Sequence, residues 1–60
     1  MSEEVKKILR ECITLSMGYN IDLLKSESEK PGDKVSVDDI EYNLSEINKK
    51  FKALVAVEEL

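Results

Sequence analysis

Sixty residues with a single cysteine and no histidine allow one small domain, and they exclude an internal disulfide, a histidine-based catalytic pair and an ordinary structural zinc site. A composition of 42% hydrophobic and 37% charged residues, with two Gly and one Pro, fits a helical protein and is too apolar for a disordered tail. The net charge of −4 and a pI near 4.7 weigh against a general nucleic-acid or anionic-membrane binder, and no apolar run approaches the roughly 18 residues that span a bilayer.

Ser2 is placed to cap a first helix, with Glu3 and Glu4 where the positive end of the helix dipole favours acids. Val5, Ile8, Cys12, Leu15 and Tyr19 follow at steps of three and four, an apolar stripe widened by Leu9 and Ile13. At Gly18-Tyr19-Asn20 the stripe falters, because the next position on it is Asp22. Two readings of that point compete: one continuous helix with a rotated buried face, which is favoured, or a break at Gly18 with Asn20 capping a second piece.

Ser26 to Lys34 is polar and holds Pro31-Gly32, which suits a type II turn with positive φ at the glycine. Ser36 then caps a second helix, Asp39 stands at its third position as in a capping box, and Val35 is spaced to staple against Ile40. Along that helix Val37, Ile40, Leu44, Ile47, Phe51 and Leu54 recur at the spacing of a seam between helices. The two helices have similar lengths of about 37 to 39 Å, by their rise per residue. Folding them about the turn pairs residues whose numbers add to about 63, so that Leu23 is expected to face Ile40, Tyr19 Leu44, Leu15 and Ser16 Ile47, Cys12 Phe51, and Leu9 Leu54. In that register Cys12 is a small buried hydrophobe.

The expected fold is therefore all-α: an antiparallel two-helix hairpin in one domain over residues 1–60, with a helix over about 2–27, a loop over about 28–35 and a helix over about 36–60. A core this small needs help, and without a disulfide or metal the remaining route is association, with a homodimeric four-helix bundle as the expected product. The surface expected to carry self-association or a helical protein partner is Val5, Ile8, Ile13, Val55, Val57 and Leu60, because two helices cannot cover every apolar side of Ala53–Leu60.

No catalytic residue, cofactor, metal ligand or small-molecule substrate is expected. Asp38, Asp39 and Glu41 are acids of a first helical turn. The favoured expectation is a small non-catalytic protein–protein interaction module in the cytoplasm, there being no basic segment followed by an apolar run at the N-terminus. The alternative is a nucleic-acid-contacting regulator using a basic band of Lys6, Lys7, Arg10, Lys49, Lys50 and Lys52.

In architecture such a hairpin resembles the Rop class of small dimeric hairpins and the small hairpin chaperones of secretion systems, an analogy of shape. The opening Glu3-Glu4-Val5-Lys6-Lys7-Ile8-Leu9 resembles the start of acyl carrier proteins, but no Asp-Ser-Leu attachment site follows it.

Overall fold

Two serines set where the helices begin. In the computed structural model, which describes residues Met1–Leu60, helix α1 runs over Glu3–Ser28 and helix α2 over Val37–Val57, with a short 3-10 turn over Gly32–Lys34 between them. The Val5 N–H donates to Ser2 Oγ and the Asp39 N–H to Ser36 Oγ, each at 3.2 Å. Both caps take up a backbone donor that the first helical turn leaves unpaired. The expected box at α2 is completed differently from the sequence reading: the Ser36 N–H donates to Glu27 Oε1 at 2.5 Å, so an acid from α1 does the work assigned to Asp39. One contact thereby caps α2 and ties it to the end of α1.

Helix α1 is continuous through Gly18, as favoured from the sequence. The turn is not of type II. No glycine has positive φ, and the Lys34 N–H donates to the Pro31 carbonyl at 2.8 Å, closing a 3-10 turn that starts at Gly32. Helix α2 stops at Val57 and Glu58 caps it, three residues short of the expected end.

The two helices pack side by side as an antiparallel hairpin, with Cα extents of 49 × 14 × 8 Å. The radius of gyration is 14.3 Å, against about 10 Å for a compact chain of this length. This is a thin slab, and its seam is mixed in character. Leu9, Ile13, Met17 and Leu24 of α1 and Ile40, Ile47 and Leu54 of α2 are half-buried there, and Val57 is the only fully buried apolar residue.

At mid-seam sits a polar group in which no buried side-chain nitrogen or oxygen is left without a hydrogen-bond partner. Asn20 Nδ2 donates to Asn43 Oδ1 at 2.9 Å, Asn43 Nδ2 donates to the Asp39 carbonyl at 2.9 Å, and Lys50 Nζ donates to Asn20 Oδ1 and to the Ser16 carbonyl. Asn20 and Asn43 are 3% and 5% exposed. A buried amide pair fixes register, because a slip separates Asn20 Nδ2 from Asn43 Oδ1 and leaves both buried atoms unpaired. The Asn20–Asn43 and Glu27–Ser36 contacts agree with the register expected from equal helix rise.

Register and facing are separate matters, and the facing differs from the sequence reading. Cys12, Leu15, Tyr19 and Leu23 of α1 and Val37, Leu44 and Phe51 of α2, all placed in the seam by periodicity, are exposed. Cys12 is therefore not a buried hydrophobe. On α1 the seam runs instead through a neighbouring row that includes Asn20, while on α2 it keeps Ile40, Ile47 and Leu54 and turns toward Asn43 and Val57 in place of Val37, Leu44 and Phe51.

Candidate interaction surface

The residues left outside the seam form two apolar stripes. On α1 these are Val5, Ile8, Cys12, Leu15, Tyr19 and Leu23, all exposed, with Leu15 at 76% and Tyr19 at 65%. At about 100° per residue they lie on one flank of the helix, roughly a quarter turn from the seam. On α2 the stripe is Val37, Leu44, Phe51 and Val55, with Phe51 55% exposed.

Side-chain contacts show that the two stripes face opposite ways. Leu23 of α1 and Tyr42 of α2 line one open groove of about 370 Å³ together with Glu27, Lys30 and Asp39, so the α1 stripe and Tyr42 share a face. The row that continues Tyr42 along α2 is Glu46, Lys49 and Ala53. On the other face Arg10 Nη1 meets Glu58 Oε1 at 2.9 Å. Glu58 continues the seven-residue spacing of Val37, Leu44 and Phe51, so the α2 stripe lies on that second face, beside Arg10, Thr14 and Ile21 of α1.

Of the residues expected to form an association surface, Val5, Ile8, Val55 and Leu60 are exposed. Val57 is a correction: it is 5% exposed, the one apolar side chain that the hairpin closes over. Ile13 is also corrected, since it is half-buried in the seam between Leu9 and Met17. The exposed four are not brought together, because Val5 and Ile8 belong to the first face and Val55 to the second. Periodicity missed Leu15, Tyr19 and Phe51 as surface residues; the signal that could have found them is the Asn20/Asn43 pair, whose amides belong in a seam only where they meet each other.

Thirteen large apolar side chains are exposed, against one that is buried. The accessible surface is 4549 Å², where a folded monomer of this mass has about 3,950 Å². About 600 Å² is therefore in excess, the scale of the largest patches on ordinary monomers.

The six residues of the basic band are spread around the hairpin. Lys6 pairs with Glu3 at 3.7 Å, Arg10 with Glu58, Lys49 with Glu46 at 3.4 Å, and Lys50 turns into the seam, leaving Lys7 and Lys52 without an ion pair. At the loop end Lys30 Nζ meets Glu27 Oε2 at 2.6 Å. The hydrogen bond from Lys30, with a second from the Ser36 N–H, holds the Glu27 carboxyl below its ordinary range, and Glu27 in turn raises Lys30. No group of three or more acids or cysteines is arranged to hold a metal ion, and no helix is long and apolar enough to cross a membrane. Compared with protein-family models, curated proteins and solved structures, the chain gives no match.

Proposed function

We propose that this chain is a small non-catalytic protein–protein interaction module, of the regulator, adaptor or chaperone kind, that works through its apolar helical faces as a homodimer with the form of a four-helix bundle. The observation that carries this reading is the inversion of burial, with thirteen large apolar side chains outside and one inside. Exposed apolar area on this scale marks surfaces meant to be covered. Covering one face with another hairpin supplies the apolar layer that two helices alone do not enclose. The exposed, unpaired Cys12 suits a reducing compartment such as the cytoplasm.

Sedimentation equilibrium over a wide concentration range, with far-UV circular dichroism on the same samples, tests the reading. The expected result is a strongly helical dimer that loses helicity on dilution. A stable, fully helical monomer at every concentration overturns it.

A further inference from the structure

Resting on that reading, we infer that the occupant of the α1-stripe face is a second copy of this chain, related to the first by a two-fold axis that crosses α1 between Leu15 and Ser16 and α2 between Ile47 and Asn48. The two crossing points lie side by side, because the Asn20–Asn43 and Glu27–Ser36 contacts set the register of the hairpin. Such an axis lays α1 antiparallel on its copy, and α2 likewise.

The sequence of the face is matched about that axis. Ile8 and Leu23 lie equally far from it on opposite sides, as do Cys12 and Tyr19, so rotation sets Ile8 against Leu23 of the second copy and Cys12 against its Tyr19. Along α2 the same operation sets Glu46 against Lys49 and Tyr42 against Ala53. Acid meets base, and the large side chains Tyr19 and Tyr42 meet the small Cys12 and Ala53. A two-fold interface requires this self-complementarity, since each patch must fit itself reversed. The area agrees as well: removing the excess surface from two copies buries about 1,200 Å², the lower edge of stable interfaces. The opposite face is a poorer match to itself: the same axis sets Leu44 against Phe51 there, but it also sets Arg10 against Ile21 and Glu58 against Val37, a charge against an apolar side chain on each helix.

The native thiol makes the arrangement testable. In Tyr19→Cys, Cys12 of one chain and the new thiol of the other lie opposite, whereas within one chain they are two helical turns apart, about 10 Å, too far for a disulfide. Under mild oxidation Tyr19→Cys should form a covalent dimer faster than the wild type by a factor on the order of 100, as for thiols held together instead of meeting by diffusion. Peptide mapping should find the bond between position 12 and position 19 of different chains. Leu44→Cys, on the other face, should cross-link no faster than the wild type. In parallel, Leu15→Asp should raise the dissociation constant by a factor on the order of 100, since it sets two carboxylates near the axis, while Leu44→Asp leaves it within a few-fold.

Equal cross-linking of the wild type and Tyr19→Cys, or cross-linking and dissociation that follow Leu44 instead of Leu15, overturns the assignment of face and axis and leaves the interaction reading intact. A wild-type chain that sediments as a helical monomer overturns both.

Discussion

The seam and the outer faces of this hairpin divide two tasks that a larger protein gives to a single core. The seam is where the helices of one chain meet, and its most buried residues besides Val57 are polar: Asn20, Asn43 and Glu27. The faces point away from the chain's own partner helix and carry most of the large apolar side chains. Hydrogen bonds between buried amides discriminate strongly between registers and contribute little net stability, whereas apolar burial stabilises without choosing a register. The hairpin is thus specified from within and stabilised from without.

That division is broken most severely at Asn20. Asn20→Ala strands Asn43 Oδ1 and removes an acceptor from Lys50, at a cost of about 1–3 kcal/mol, read as a lower midpoint in urea. The double change Asn20→Leu with Asn43→Leu sharpens the point. It should regain most of that stability, yet the register contact is gone, so broadened amide resonances in NMR are expected beside a recovered midpoint. If the double variant stays uniquely folded, register resides in Glu27–Ser36 alone.

Ser36→Ala comes next, at about 1 kcal/mol for the lost cap, measured in the same way. The Glu27–Lys30 pair adds a pH dependence whose sign follows from the two shifts. Glu27 is held below its ordinary value of 4.5, so its contribution is complete above that pH and is lost as the pH falls through the lowered value. Lys30 is raised above 10.5, so its contribution is complete below that pH and is lost as the pH rises through the raised value. With no histidine in the chain, this contact should hold through the neutral range. Glu27→Gln should flatten the acid limb of a urea-midpoint titration; an unchanged limb means that other carboxylates govern it.

What could be read in advance follows the same division. Both caps, the continuity of α1 and the register were legible, because they depend on local chemistry and on equal rise along the two helices. The facing was not. On α1 the row Leu9, Ile13, Met17, Asn20 and Leu24, apolar but for the asparagine, and the row Val5, Ile8, Cys12, Leu15 and Tyr19 both recur at steps of three and four. Periodicity reports that a row is apolar without reporting whether its own chain or another covers it. Val57 was misplaced for that reason: the end of α2 is apolar on several sides, and only the rotation of the seam decides which of them closes. The turn was misread because Pro-Gly suits a type II turn and also permits the 3-10 turn that the Lys34 N–H completes on the Pro31 carbonyl.

The smallest effect is at Gly18, and it tests whether the outer side of α1 is free. A Cβ built there meets nothing within 4 Å, and the residue is mid-helix without positive φ. Helical spacing turns it away from the seam and places it on the outer side of α1, about 60° round from Leu15 and beyond the edge of the stripe. Gly18→Ala should therefore stabilise the protein by about 1 kcal/mol through backbone entropy alone, a rise of roughly 4–8 °C in Tm. The gain should leave the dissociation constant of the dimer unchanged, because the new methyl lies clear of the face assigned to the second copy. If Gly18→Ala instead weakens association while helicity rises, another backbone approaches α1 at Gly18, and the covered face extends round the outer side of the helix past Leu15.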